Sequence, residues 1–380
     1  MVNIERVSQS TATTDEIKAI VAAPPVLTTP LTKTLKIAHP VLLAGMNQAA
    51  GPELAAAVSN AGGLGVIGGV MFTPKMLKEQ IDELKANLRE PDLPWGVDLL
   101  LPQVGGNARK TNKDYTQGKL DDLISVVVEA KCTVFVSAVG IPPRHVVDRL
   151  HGAGILLANV IGHPKHVAKA LDAGTDFLIA QGGEAGGHTG DVPSSILIPR
   201  VVDLVRGRRS PLTGEQVQVV AAGGIYNGRG LAAALCHGAA AVWVGTRFVC
   251  AREAGAPRAH QEAILKATHE SLIKTTIFTG RPLRIINTPY IQSWEDRPEK
   301  IKELLARGVV PIEYDLEQGD DDEGTKVKGI LAHWFAGHVA AVVDTIKPAK
   351  DIVDEMVQEA AQALQSGRAL VVGAGGAAKL

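Results

Sequence analysis

The chain has little cysteine, few aromatic residues and no excess of charge of either sign. Its 380 residues include three cysteines (Cys132, Cys236 and Cys250) and 4% aromatic residues, and its net charge is −1 at pH 7. Three widely spaced cysteines exclude a disulfide framework and a cysteine-rich zinc site. The balanced charge excludes both the basic stripe of a nucleic-acid-binding protein and the basic face of a protein that binds membranes.

Long apolar runs are also missing. The sequence contains no stretch of about 18 uninterrupted apolar residues, the length needed to span a bilayer. Residues 1–16 lack the apolar core of a signal peptide. We therefore expect a soluble, cytoplasmic protein. The last three residues, Ala378-Lys379-Leu380, resemble the Ser-Lys-Leu peroxisomal address, which makes a peroxisomal location the alternative.

What the sequence has in quantity is short apolar segments rich in β-branched residues, separated by amphipathic helical segments. Continuous apolar segments, rather than alternating ones, are typical of strands buried on both faces of a parallel sheet. The regular alternation predicts an α/β fold, a (β/α)8 TIM barrel. The eight predicted strands are Val41–Gly45, Leu64–Gly68, Gly96–Leu101, Thr133–Val139, Ile155–Ile161, Asp176–Ala180, Val217–Ala222 and Ala241–Gly245.

The alternation stops after the eighth predicted strand, which suggests a smaller, mainly helical domain inserted there. Helices over His333–Val343 and Ile352–Leu364 are predicted to return to the barrel. The acidic run Gly319–Gly324 is expected to be a solvated loop rather than a cation site, and no metal site is predicted. The predicted divisions are an N-terminal extension (1–35), the barrel (36–251), the inserted domain (252–330), and the returning helices with a flexible tail from Gly373 (331–380).

Two glycine-containing segments follow the seventh and eighth predicted strands. Barrel enzymes carry their sites on the loops after the strands, and phosphates commonly bind after strands seven and eight. Strand seven ends at Gly223-Gly224, and strand eight ends at Gly245-Thr246 before a short candidate helix. Glycines let backbone N–H groups approach phosphate oxygens closely. The two segments together predict a monophosphate site.

The loop after the sixth predicted strand runs from Gln181 to Asp191 and holds five glycines around His188. So glycine-rich a segment could lie flat against a planar ligand. A neutral imidazole at the mouth of a barrel could take a proton from a carbon acid or bind an anionic substrate. Glu184 is expected to be a solvated or supporting carboxylate. No Gly-x-Gly-x-x-Gly opens a βαβ unit, which disfavours a dedicated NAD(P)H site.

These segments resemble the nitronate monooxygenase family of FMN-dependent enzymes. The resemblance is carried by His39-Pro40 with Ala44-Gly45-Met46, Ala61 to Gly65, Gln181 to Gly190, Ala221 to Gly224 and Val244-Gly245-Thr246. It implies that His188 is the catalytic residue, acting as a base or positioning the substrate. The implied FMN-binding residues are Ala44, Gly45, Met46, Asp98, Gln181, Gly182, Gly186, Gly187, Gly223, Gly224, Trp243, Val244, Gly245 and Thr246.

One position departs from the family pattern. Asp98, in Gly96-Val97-Asp98, stands where the family usually has Asn. A carboxylate there would repel an anionic reduced flavin or nitronate unless it is protonated or paired.

The resemblance implies FMN-dependent oxidation of nitronates or nitroalkanes with O2 to carbonyl compounds and nitrite, and it leaves a homodimer open. Flavin enzymes that use NAD(P)H to reduce quinones or enoyl thioesters look similar and give the alternative function. A non-catalytic barrel that binds a phosphorylated ligand is a third hypothesis.

Four further basic side chains are expected to have structural roles rather than to form a binding site. Arg109 and Lys110, after the third predicted strand, are expected on a solvated loop, with steering of an anionic substrate as the alternative. His163 and His166 show no metal-ligand spacing and are expected to be surface or capping residues.

Overall fold

The computed structural model describes residues 27–319, 328 and 330–372. Predictions that concern residues 1–26, the acidic run from Asp320 to Gly324 and the tail from Gly373 onward lie outside the described residues. This includes the C-terminal tripeptide Ala378-Lys379-Leu380.

Eight parallel strands form a barrel, as the apolar segments predict. The strands follow one another around the barrel in chain order, and a parallel bridge between Leu42 and Leu64 joins the last pair of neighbours. Each predicted strand is present, with ends within two residues of those expected. The barrel strands are β1 (Val41–Leu43), β2 (Gly65–Gly68), β3 (Trp95–Leu100), β4 (Val134–Ala138), β5 (Leu156–Ile161), β6 (Phe177–Gln181), β8 (Gln218–Ala222) and β9 (Ala241–Val244).

Both faces of these strands are buried, which explains their uninterrupted apolar sequences. Alternate residues such as Val136, Phe177 and Val220 fill the interior of the barrel. The intervening residues, such as Phe135 and Leu178, pack against the surrounding helices. The carboxyl ends of the strands are thereby held on a rigid core.

The helices around the barrel begin at residues suited to helix starts. The Thr73 side chain, for example, accepts a hydrogen bond from the backbone N–H of Met76, and proline occupies the first turn of several helices. After β5 the chain forms a 3₁₀ turn (Pro164–His166) followed directly by a short helix. The helices are α1 (Pro30–Leu35), α2 (Pro52–Asn60), α3 (Pro74–Asn87), α4 (Leu120–Ala130), α5 (Arg144–Gly152), α6 (Val167–Asp172), α7 (Ser194–Val205), α8 (Gly228–Cys236) and α9 (Thr246–Val249).

The segment after α9 contains an antiparallel hairpin that was not predicted. Strand β10 (Leu272–Thr275) pairs with β11 (Leu283–Ile286), and β11 pairs with β7 (Gly187–His188) in the glycine-rich loop. A separate apolar cluster, which includes Trp294, supports the hairpin. The helices of this segment are α10 (Arg258–Leu265), α11 (Pro289–Glu295), α12 (Pro298–Arg307) and α13 (Pro311–Gln318).

The C-terminal part of the chain returns to the barrel through one long helix. Helix α14 (Ala349–Ala369) packs against α8 and α2, in agreement with the helix predicted over Ile352–Leu364. The helix predicted over His333–Val343 is wrong, because this segment is extended and forms only a 3₁₀ turn at His338–Val342. Within the described ranges, no helix combines the length and apolar character needed to cross a membrane.

Candidate functional site

A cavity of about 1480 Å³ opens at the C-terminal ends of the barrel strands. Thirteen of the predicted site residues line it: Ala44, Gly45, Met46, Asp98, Gln181, Gly186, Gly187, His188, Gly223, Gly224, Trp243, Gly245 and Thr246.

The structure does not bring Gly182 and Val244 to this cavity. Successive side chains of a strand point to opposite faces, so Trp243 faces the barrel interior while Val244 packs against the helices. The α-carbon of Gly182 faces Ser194 instead of the cavity. Their contact with FMN stays a prediction, which only the backbone of these two residues could fulfil from this position.

The glycine-containing ends of β8 and β9 present unused backbone donors. The N–H groups of Gly223, Gly224, Gly245 and Thr246 donate to no oxygen atom among the described residues. Gly223 and Gly224 have φ angles of 88° and 77°, a conformation that residues with a side chain rarely adopt. Clustered free N–H groups are the arrangement that binds phosphate oxygens.

The glycine-rich loop packs closely under the returning C-terminal segment. A β-carbon on Gly186 would lie 2.6 Å from the carbonyl carbon of Ala336 and from the backbone nitrogen of Gly337. The N–H of Gly337 donates to Thr246 Oγ1 (2.9 Å), and the N–H of His338 donates to the carbonyl of Glu184 (2.9 Å). These bonds hold the segment extended, which explains why the helix predicted there does not form.

His188 is held by the loop and the hairpin together. Its imidazole Nε2 lies 2.9 Å from Thr279 Oγ1, and its carbonyl accepts a hydrogen bond of 2.6 Å from Gln181 Nε2. Burial and, to a smaller extent, the nearby charge of Arg281 lower the pKa of His188 to about 4. The imidazole is therefore neutral at physiological pH, with a lone pair on one of its two ring nitrogens.

Asp98 lies on β3 at the inner wall of the cavity. Its side chain is buried, and Oδ1 has no hydrogen-bond partner among the described residues. Burial raises the pKa of Asp98 to about 8. The carboxyl group is therefore mostly protonated and neutral at pH 7, so the departure from Asn introduces little negative charge.

Several residues at the cavity were not predicted from the sequence. Thr279 and Arg281 come from the β10–β11 connection, and Trp334 and Phe335 come from the extended segment. The His260 ring stacks on Trp334 with 5.4 Å between centroids. The segments rich in β-branched residues on either side of Gly280 are the sequence feature that could have predicted the hairpin.

The basic residues after β3 and β5 have different surroundings. Arg109 lines the cavity and donates to the carbonyl of Gly280 (3.2 Å), whereas Lys110 donates to the carbonyl of Ala306 (3.0 Å). His163 is a capping residue, as predicted, because its Nδ1 accepts from the backbone N–H of Lys165 (3.1 Å). His163 and His166 also line the cavity.

Glu184 has the supporting role expected for it. Its carboxylate accepts hydrogen bonds from the backbone N–H and the hydroxyl of Ser194, at 3.1 and 2.9 Å. The carboxylate thereby fixes the glycine-rich loop at the start of α7.

Comparison with known proteins agrees with this geometry. The family model described as nitronate monooxygenase matches residues 28–359. A (3aS,4S,5R,7aS)-5-hydroxy-7a-methyl-1-oxo-octahydro-1H-indene-4-carboxyl-CoA dehydrogenase of Mycobacterium tuberculosis is 31% identical, over 91% of this chain and 99% of the relative.

Two solved structures are similar over almost their entire length. FabK from Thermotoga maritima is 32% identical with a TM-score of 0.71, and the match covers 91% of this chain and 100% of that chain. A nitroalkane oxidase from Streptomyces ansochromogenes is 27% identical with a TM-score of 0.72, over 88% of this chain and 99% of that chain. Because the family match spans most of the sequence, we conclude that the chain belongs to the nitronate monooxygenase family of flavin-dependent oxidoreductases.

Proposed function

We propose that the protein oxidises nitronates and nitroalkanes in an FMN-dependent reaction with O2, giving carbonyl compounds and nitrite. The observation that carries this proposal is a neutral, partly buried His188 at the cavity wall, close enough to Arg281 for its charge to lower the pKa of the imidazole. When bound, FMN supplies the electron acceptor and passes the electrons to O2.

The residues present fit FMN. The free N–H groups of Gly223, Gly224, Gly245 and Thr246 would hold its phosphate. The buried Oδ1 of Asp98, which has no partner within the described part of the chain, would meet a polar group of the flavin.

His188 and Arg281 account for the proton chemistry. The neutral imidazole of His188 takes the proton from the carbon that bears the nitro group, and Thr279 holds the ring in position. The guanidinium of Arg281 stabilises the negative charge that forms on the nitro oxygens, because a partly buried cation interacts more strongly with an anion than one in bulk water. A nitronate is already deprotonated, so it needs only the stabilisation of its negative charge by Arg281.

The first test is the absorption spectrum of the purified protein without oxygen. We expect propionate 3-nitronate alone to bleach the oxidised-flavin bands, and NADH alone to leave them unchanged. Bleaching by NADH but not by the nitronate would favour the reductase, and a protein without flavin bands that does not bind added FMN would contradict both enzymes.

A glycine variant tests the proposed phosphate site. We expect Gly223→Ala to weaken FMN binding at least about tenfold, because the new β-carbon would lie 2.8 Å from the carbonyl oxygen of Gly182 in a loop that borders the cavity. Gly207→Ala is the matched control, since Gly207 also has a positive φ (77°) but has no atom within 4 Å of an added β-carbon. Equal FMN dissociation constants for the two variants in flavin-fluorescence titrations would contradict the site.

A second candidate is a flavin-dependent oxidoreductase that acts on enoyl thioesters or related acyl thioesters with NAD(P)H. It is favoured by the cavity of about 1480 Å³, which exceeds the range of about 300–1,000 Å³ common for small-ligand sites. The similarity to a carboxyl-CoA dehydrogenase supports it as well.

A further inference from the structure

Four basic side chains form one rim of the cavity where it opens to solvent. We define the basic rim as His163, Lys165, His166 and Lys169, which follow β5; His163 directly precedes the 3₁₀ turn, and the others lie on the turn and on helix α6. All four are exposed and all four line the cavity. They lie apart from the glycine-containing segments proposed to hold the FMN phosphate.

The acidic side chains around the same cavity do not neutralise the rim. Asp114 accepts hydrogen bonds from Thr116 and from the N–H of Gly118. Asp191 forms an ion pair with Lys274. Glu184 is bonded to Ser194, as described above. Each of these carboxylates is therefore engaged elsewhere.

The basic residues of the rim are close enough to repel one another. The pKa of His166 is lowered, first by partial burial and then by the neighbouring charges of Lys165, His163 and Lys169. Neither Lys165 nor Lys169 has an ion-pair partner among the described residues. Unpaired like charges at the mouth of a cavity raise the local concentration of anions and are stabilised when an anion binds.

We propose that the basic rim binds the ribose phosphate of a nucleotide-bearing substrate whose reactive end lies in the cavity near His188. The cavity has room for such an extended molecule in addition to a flavin. A phosphorylated adenosine ribose occurs in coenzyme A thioesters and in NADPH. The catalytic meaning of the rim rests on the second candidate function, a flavin-dependent oxidoreductase that acts on acyl thioesters with NAD(P)H, because nitroalkanes and nitronates carry no ribose phosphate.

The experiment measures binding to the FMN-loaded protein by calorimetry at low salt. The probes are two pairs that differ in one ribose phosphate: coenzyme A with 3′-dephospho-coenzyme A, and NADPH with NADH. The test variant is Lys165→Gln/Lys169→Gln. The matched control is Lys75→Gln/Lys78→Gln, which removes two exposed lysines from helix α3 outside the cavity.

We expect the phosphorylated member of one pair to bind about tenfold more tightly than its partner in the wild-type and control proteins. The test variant should lose this difference. A difference within the coenzyme A pair favours a coenzyme A thioester as the ligand of the rim, and a difference within the NADPH pair favours the nicotinamide nucleotide. The proposal is overturned if neither pair shows a difference or if the test variant retains it.

Bleaching of the flavin by propionate 3-nitronate, measured on the same preparations, separates this inference from the proposed function. Loss of the phosphate preference with normal bleaching in the test variant supports the rim as a binding site. Absence of bleaching in the wild-type protein contradicts nitronate oxidation, and the binding difference still reports on the rim.

Discussion

Replacing His188 by alanine is expected to reduce kcat/KM for a neutral nitroalkane by about 10²- to 10⁴-fold, the usual contribution of general base catalysis. The imidazole is partly buried, its Nε2 lies 2.9 Å from Thr279 Oγ1, and it lines the cavity together with Arg281. A preformed nitronate has already lost this proton. Steady-state rates with the two forms of the same nitro compound should therefore diverge in the variant.

His260→Ala is the matched control for this experiment. His260 is another histidine of the same cavity, and burial lowers its pKa too, but its ring stacks on Trp334. We expect its nitroalkane-to-nitronate rate ratio to stay close to that of the wild-type protein. If His188→Ala lowers both rates equally, the residue positions the substrate and does not act as a base.

The pKa of His188 also predicts the pH profile of this reaction. Because the pKa in the folded protein is about 4, below the ordinary value of 6.5, the basic form is present throughout the neutral range. We expect kcat/KM for the nitroalkane to show no loss attributable to histidine protonation between about pH 6 and pH 8. A loss of activity below a midpoint near pH 6.5 that disappears in His188→Ala would contradict the depressed pKa.

The barrel was predictable from the sequence because its strands are buried on both faces. Burial on both faces requires continuous apolar segments, and eight of them alternate with helices. The hairpin escaped prediction because its strands have only four residues each and a connection without a short turn signature. The helix expected at His333–Val343 failed because Gly337 interrupts it and tertiary hydrogen bonds hold the segment extended.

The site residues that could be predicted are those that belong to a short, recognisable segment of the sequence. Glycines at the ends of strands and His188 in a glycine-rich loop are visible in single short segments. Thr279, in contrast, contacts His188 across 91 residues of sequence. Its role depends on the pairing of β7 with β11, which no local pattern specifies.

Asp98→Asn is expected to stabilise the flavin-free protein increasingly as the pH rises from about 4 to about 8. The pKa of Asp98 in the folded protein is about 8, above its ordinary value of 3.8. Below pH 4 the carboxyl group is protonated in both states and carries no penalty. Between the two pKa values unfolding releases the proton, so the free energy of unfolding of the wild-type protein falls with pH. Above pH 8 the penalty is constant.

The size of this effect follows from about 1.4 kcal/mol for each pH unit between the two pKa values. The upper limit is about 6 kcal/mol, and relaxation around the buried group reduces it, so we expect at least about 2 kcal/mol between pH 4 and pH 8. Urea unfolding at several pH values measures it. Asp92→Asn, at an exposed position before β3, is the control and should give a difference independent of pH.

A second measurement reports on the proton directly. The infrared difference spectrum between the wild-type protein and Asp98→Asn at pH 7 should contain the C=O band of a protonated carboxylic acid. Asp98 would be shown to be ionised by two results together: a difference in the free energy of unfolding between the two proteins that does not change with pH, and a carboxylate band in the infrared spectrum. The charge of Asp98 would then oppose an anionic substrate or reduced flavin in the cavity. The inference that burial keeps the Asp98 carboxyl group neutral at pH 7 would be wrong.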